Sequence, residues 1–143
     1  MGQQQLLLII LGVIIVGIAI AVGLQLFQAG SVGANQDAIV NDIMNIAAHT
    51  DQYRIRPESM GGGGGDFTGY TLPVRLQETG NAFFDGTDGS GVTVAADNVT
   101  ILGSSKIHDG TIQLIYTPDP DPEVEQYAWS STGDFAGAFA ESE

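Results

Sequence analysis

Apolar and polar positions divide the chain into a long helical N-terminal part and a remainder with strand-like patterns. Residues Leu6 to Leu24 contain no charged or strongly polar side chain. About 19 residues of helix extend roughly 28 Å, close to the thickness of a bilayer's hydrocarbon core. The pattern predicts a transmembrane-length helix in residues 1–27.

The residues that flank this helix do not match a secretory signal peptide, which has a basic start and a shorter apolar core. The chain starts Met1-Gly2-Gln3-Gln4-Gln5, and the nearest base is Arg54. A membrane anchor normally has Lys or Arg on its cytoplasmic side. Either the orientation is set in an unusual way, or a short basic leader preceded Met1 and was removed. Met1 is equally consistent with an initiator, and cleavage after Gly2, which would make Gln3 the first residue, is a further alternative.

Small residues are spread through the apolar run. Gly12, Gly17 and Gly23 interrupt it, and Ala19 lies one helical turn before Gly23. Residues with this spacing let helix backbones approach closely in an apolar medium. Leucine would serve a simple anchor as well, so the small residues favour helix–helix packing.

The helix is expected to continue into an amphipathic part, residues 28–57. Gly30 and Gly33 weaken it, which predicts a kink, a stretched segment or a local break at 22–33. Beyond them, apolar or uncharged residues recur every three or four positions and define one helical face: Ile39, Ile43, Ile46, Thr50 and Tyr53. Pro57 is expected to end the helix.

Residues 58–143 are expected to form an antiparallel sheet with acidic loops. Five glycines at 61–65 indicate a flexible or close-packed connector. Strand-like patterns follow at 67–76, 92–94, 99–102, 111–117 and 126–130. A hairpin turn is predicted at 106–110. The fold class is α+β: a long N-terminal helix packed against a small antiparallel sheet.

Charge and composition narrow the class of protein. The 143 residues include 17 acids and four bases, a formal net charge of -13, and no cysteine. Such a chain repels nucleic acid, whose phosphates require Lys and Arg. The acids indicate a solvated acidic surface or, alternatively, a high-salt habitat. Disulfides and thiol chemistry are excluded.

Few residues suggest chemistry. His49 and His108 have no partner at a catalytic spacing, so neither an enzyme nor a cofactor is expected. Asp85 begins a segment like a calcium loop, but Ala96 occupies the position where an EF-hand needs glutamate, which favours a polar turn. Acids alternate with prolines in a later segment, a weak calcium candidate or a solvated extended loop: Asp119, Asp121, Glu123 and Glu125. Asn98 begins a single glycosylation sequon.

The N-terminus, Met1-Gly2-Gln3-Gln4-Gln5-Leu6-Leu7-Leu8-Ile9-Ile10, resembles that of a mature type IV pilin. Pilins share a short polar start, an apolar helix of this length and an amphipathic continuation under a β-sheet head. Gln5 replaces the family's usual glutamate and Val22 replaces its helix proline. The paired C-terminal cysteines of many pilins are absent.

This resemblance implies a subunit that polymerises with copies of itself into an extracellular pilus at the cell surface. The chain would first lie in the inner membrane and be handled by pilus assembly machinery. It implies assembly roles for residues along the helix: Met1, Gln5, Leu6, Leu7, Ile10, Gly12, Ile14, Gly17, Ala19 and Gly23. The alternatives are a pseudopilin of a type II secretion system, often with a calcium site, and a single-pass anchor that presents a binding domain.

Overall fold

The structure, a computed structural model, describes residues 2–118 and 126–139. Its first element, helix α1, spans Gly2–Ile55. The chain forms two compact units, residues 1–34 and residues 35–143. We call the second unit the head, and we describe each unit separately.

In the first unit, every described residue belongs to α1. The predicted stretched or broken segment at 22–33 is therefore wrong, because these residues are helical throughout. Glycine costs a helix only about 1 kcal/mol relative to alanine and keeps its backbone N–H. The helical hydrogen bonds can thus continue through Gly30 and Gly33, as they could not through a proline.

In the residues that the structure describes, the head contains the last part of α1, a one-turn helix and five strands. Helix α2 spans Val74–Gln77, and short 3-10 helices span Glu58–Met60 and Thr87–Gly89. The strands are β1 Ala82–Phe83, β2 Gly91–Val94, β3 Val99–Ser105, β4 Gly110–Tyr116 and β5 Tyr127–Gly133. They form one antiparallel sheet in the order β1-β3-β4-β5, with β2 also paired to β3.

One face of this sheet and one face of α1 form the core of the head. Ile101 of β3 is directly opposite Leu114 of β4, and neither side chain is exposed to solvent. From α1, the predicted apolar stripe supplies buried side chains: Ile39, Ile43, Ile46 and Thr50. The predicted α+β architecture is confirmed, and the head buries its sheet against its own part of the helix.

Gly103 allows close contact within this core. A methyl group at that position would lie 2.6 Å from Cε1 of Phe84 and 3.3 Å from Cγ2 of Ile39. Both neighbours are themselves fully buried. Any residue larger than glycine at position 103 would therefore push the sheet away from α1.

Most predicted strands form, with one exception. Strands β2 to β5 match the predicted patterns, the 106–110 turn joins β3 to β4, and α1 ends two residues before Pro57. The strand predicted at 67–76 is wrong. Gly69 adopts a φ of 84°, and Pro73, which has no N–H to donate to a sheet, precedes α2. Phe67 and Tyr70 are nevertheless buried, while Val74 is 81% exposed.

The sequence predicts that the glycine run at 61–65 is either a flexible or a close-packed connector, and the structure shows the close-packed form. Gly63 N donates to Tyr53 O, and Gly65 N donates to Arg54 O, each at 2.9 Å. These carbonyls belong to the last turn of α1, where the helix itself offers few N–H donors, and Tyr53 O accepts a second, longer hydrogen bond from Arg56 N at 3.3 Å. A methyl group at Gly63 would overlap the carbonyl oxygen of Asp66. The run therefore caps the helix, and only glycine fits at its centre.

We predict that Gly63→Ala lowers the free energy of unfolding by about 2 kcal/mol, because the added methyl group overlaps backbone atoms and displaces the cap. Thermal unfolding of the full chain in detergent, followed by near-ultraviolet circular dichroism, measures the change. Gly80→Ala is the matched control, since a methyl group there meets no atom within 4 Å. Equal stability of the two variants would contradict the capping role.

Candidate functional site

The surface of α1 in the first unit is the most unusual feature of the molecule. Every large apolar side chain from Leu6 to Phe27 is exposed, from 48% at Val22 to 75% at Phe27. An 18-residue window of this helix reaches a mean hydropathy of 3.2, and none of it is buried. Length and composition suffice to span a membrane. Apolar area of this size requires cover by lipid or by protein.

The small residues in this helix face open space. A methyl group at Gly12, Gly17 or Gly23 would meet no atom within 4 Å outside the helix itself. Ala19 is likewise exposed. Nothing in the described chain therefore needs these positions to be small. A packing role for them requires another molecule.

The remaining residues with expected assembly roles lie on the same helix. Gln5, Leu6, Leu7, Ile10 and Ile14 are all helical and exposed. Met1 lies outside the described residues. The helix thus brings the expected residues onto one continuous element, and the contacts implied for them stay predictions.

In the head, α1 has a second exposed surface, which we call the neutral stripe. Between residues 41 and 55 its exposed positions carry no charge: Asn41, Met44, Asn45, Ala48, Gln52 and Ile55. They lie on the side of the helix opposite the buried stripe that begins at Ile39. In a chain of net charge -13, an exposed helix surface without acids is notable.

Asp37 is exposed one helical turn before Asn41 on the same face, whereas the charged side chains at positions 42, 51 and 54 are engaged within the head. Asp42 Oδ2 accepts hydrogen bonds from Thr79 Oγ1 at 2.7 Å and Asn81 Nδ2 at 3.3 Å. Asp51 and Arg54 form an ion pair at 3.0 Å. Contact on the neutral stripe would therefore leave these charges with their present partners.

A groove of about 200 Å³ adjoins the neutral stripe. It shares Met44 and Ala48 with the stripe, and its other walls come from Ala47, Asp51, Tyr116 and Tyr127. The last two rings stack with their centroids 5.1 Å apart. The groove is therefore mostly apolar and large enough to receive an aliphatic or aromatic side chain.

The histidines take structural positions. His49 Nδ1 lies 2.8 Å from the hydroxyl of Tyr70, whose ring meets that of Tyr53 edge-on with centroids 5.4 Å apart. His108 Nδ1 lies 3.8 Å from Asp134 Oδ2. These contacts hold the loop that contains Tyr70 and the turn that contains His108 against the rest of the head.

Asp85 and Asn98, the residues considered for calcium binding and for glycosylation, both lie in turns. Asp85 Oδ1 accepts a hydrogen bond from Thr87 N at 2.9 Å, and hydrogen bonds from Thr87 lower the pKa of this carboxyl. This is the expected polar turn. Asn98, the predicted glycosylation position, is half-exposed in the turn between β2 and β3, where its carbonyl accepts from Ala95 N.

The weak calcium candidates Asp119, Asp121, Glu123 and Glu125 lie outside the described residues. Within residues 2–118 and 126–139, no group of three or more acidic or histidine side chains could hold a metal ion.

Comparison with protein-family models, curated proteins and solved structures finds no match to this chain.

Sequence patterns did not reveal the contacts that fasten loops to α1. Asp42 binds Thr79 across 37 positions, and Asn35 Oδ1 accepts a hydrogen bond from Ser105 Oγ, 70 positions away, at 2.7 Å. Both acceptors lie on α1, next to the buried stripe. A polar residue beside an apolar stripe is a weak signal, because its partner could lie anywhere in the chain.

Alkaline pH should destabilise the head through two buried phenols. Burial raises the pKa of Tyr70 and of Tyr116 to about 12, and the charge of Asp51 adds to the effect at Tyr116. The unfolded chain releases these protons near pH 10, whereas the folded head keeps them. Stability should therefore fall as pH rises from about 10 to about 12.

Ultraviolet titration of the folded chain checks this, with Tyr70→Phe removing one late-ionising phenol. The same titration in denaturant is the control, and all tyrosines should then ionise near pH 10. If all four tyrosines of the folded chain ionise together near pH 10, the two phenols are not protected.

Proposed function

We propose that this chain is a structural subunit that polymerises through its apolar N-terminal helix into an extracellular helical filament of the type IV pilin kind. One observation carries the proposal: the apolar helix is exposed from Leu6 to Phe27 and contains small residues that no contact within the described part of the chain requires. The resemblance of residues 1–53 to the pilin pattern adds to it.

The energetic basis of assembly is the cover that this helix needs. In a membrane, lipid surrounds the side chains. In a filament, helices of other subunits replace the lipid, and Gly12, Gly17, Ala19 and Gly23 allow their backbones to approach. Covering one leucine-class side chain stabilises by about 1.5–3 kcal/mol relative to water. A bundle of such helices would therefore hold together without disulfides, which this chain cannot form.

The rest of the molecule suits the outside of such a polymer. Contacts between different patches of identical subunits give an open helix when the rotation from one subunit to the next does not close a ring. The head folds around its own core and carries the acids of the chain, which would keep neighbouring filaments apart in solution.

Two other functions use the same helix. A single-pass anchor for a binding domain is favoured by the transmembrane length of α1. A pseudopilin shares the helix but would not be shed as long fibres. Electron microscopy of material sheared from cells separates them: long fibres of this chain are expected, and a chain confined to the membrane fraction would contradict the filament.

A leucine at Gly23 should separate anchor from filament subunit. Gly23→Leu keeps the helix apolar, so insertion into the membrane should be unchanged. It fills a position at which helices are proposed to touch, so fibre yield should fall at least about tenfold. Val22→Leu is the matched control, because it enlarges a neighbouring side chain that is already bulky and exposed. Normal fibres from Gly23→Leu would argue for a simple anchor.

A further inference from the structure

We infer that the free edge of strand β5 is a binding site for an extended peptide segment of another protein, uncharged in its middle and flanked by Lys or Arg. The segment would add a further strand to the sheet beside β5. The inference goes beyond the proposed filament and does not depend on it, because it concerns only the head.

Strand β5 lies at the edge of the sheet and pairs with β4 along all seven of its residues. Two hydrogen bonds at its ends fix which backbone groups face β4. Thr117 N donates to Gln126 O at 3.0 Å just before the strand, and Asp134 N donates to Asp109 O at 2.7 Å just after it. Because such bonds alternate along an antiparallel pair, the even-numbered residues of β5 face β4 and the odd-numbered ones face away.

The outward backbone groups belong to Tyr127, Trp129 and Ser131. Within residues 2–118 and 126–139, no hydrogen bond occupies the N–H or C=O of these three residues. Natural sheets protect such an edge with Lys, Pro, an inward-pointing charge or a bulge. The strand YAWSSTG contains no such residue, and its register with β4 is unbroken. The edge therefore offers three donors and three acceptors to an added strand.

A groove of about 260 Å³ adjoins this edge, and its walls are Trp129, Ser130, Ser131, Gly137 and Phe139. The rings of Trp129 and Phe139 stack with their centroids 5.2 Å apart. The groove can receive one apolar side chain. Free backbone groups and a side-chain pocket thus occur together, which is the combination by which an edge strand both binds and selects a peptide.

The two faces of β5 define the pattern of the segment. Trp129 lies on the same face as its partner in β4, the buried Leu114, because directly opposite residues of an antiparallel pair share a face. The other face carries Ala128, Ser130 and Thr132. A matching segment would alternate apolar residues beside Trp129 with small polar residues on the opposite face.

Charge selects the flanks of the segment. Asp109 and Asp134 are both exposed at the C-terminal end of the uncharged β5. Asp109 N donates to Asp134 Oδ2 at 3.3 Å, so the two residues lie together. The chain as a whole carries a net charge of -13. Such a field attracts basic partners and repels acidic ones, and a Lys or Arg beside Asp134 would meet a carboxylate directly.

A second copy of the chain matches the edge less well. Its own β5 is uncharged and could pair through the backbone, but it brings a net charge of -13 to a contact that already contains Asp109 and Asp134. Repulsion between the copies opposes that contact, whereas a basic segment would be attracted to it.

The fluorescence of Trp129, the only tryptophan of the chain, reports on the groove directly. The probe is a synthetic peptide in which valine and threonine alternate, with two lysines at each end. Titrated into the full chain in non-ionic detergent at low salt, it should shift the emission until the site is saturated. Methylation of the valine amides, which would face β5, should weaken binding at least about tenfold. Methylation of the threonine amides, which would face away, is the matched control and should leave binding unchanged.

A proline on the edge tests the same site from the protein side. Ser131→Pro removes an outward N–H and leaves the ladder to β4, in which that N–H takes no part. It should weaken binding of the lysine-flanked peptide at least about tenfold. Ser131→Ala is the matched control: both changes remove the hydrogen bond from Ser131 Oγ to Phe135 O, but alanine keeps the N–H and should bind as the wild type does. Near-ultraviolet circular dichroism checks that both variants fold.

The binding site is overturned if the wild-type chain does not bind the peptide, if the two methylated peptides bind equally, or if the two folded variants do. Equal binding of a glutamate-flanked peptide would overturn the selection for basic flanks. If the chain alone sediments as a dimer that Ser131→Pro dissociates and Ser131→Ala does not, the occupant is a second copy and the peptide partner is wrong. None of these measurements depends on fibres, so the filament is tested separately.

Discussion

The uncovered apolar surface of residues 6–27 is the constraint on which the rest of the molecule depends. Within the head, the apolar side of the same helix is covered by the sheet of its own chain, because Ile39, Ile43 and Ile46 are buried against the sheet. No such cover exists in the described chain for the first unit, where the side chains are exposed throughout. An apolar helix of this length must therefore lie in lipid or against other protein.

Charge is distributed in a way that complements this constraint. None of the five strands within residues 2–118 and 126–139 contains an acid or a base, and the exposed positions of α1 between residues 41 and 55 are also uncharged. The acids that the structure describes lie mostly in loops and turns. An acidic chain keeps its copies apart by default, so its neutral surfaces are where specific contact costs least.

The helix and the main strands could be predicted from the sequence because their signals are local. A run of apolar residues, a stripe with helical spacing and alternating β-branched residues each appear within a short window. Helix α2 and the two-residue strand β1 were missed, since four and two residues carry almost no periodicity. The neutral stripe, on the side of α1 opposite its buried stripe, was not predicted. Its significance depends on the pairing of Asp42 and Asp51, which the folded head alone reveals.

Glycine illustrates the difference between the two units. In the head, Gly63 and Gly103 are required by atoms of the same chain, because a methyl group would meet Asp66 at one and Phe84 at the other. In the first unit, Gly12, Gly17 and Gly23 face open space. Each nevertheless weakens the helix by about 1 kcal/mol relative to alanine. A residue that costs stability within its own chain and gains nothing there is explained most simply by contact with another molecule, and a helix backbone is the partner that glycine admits most closely.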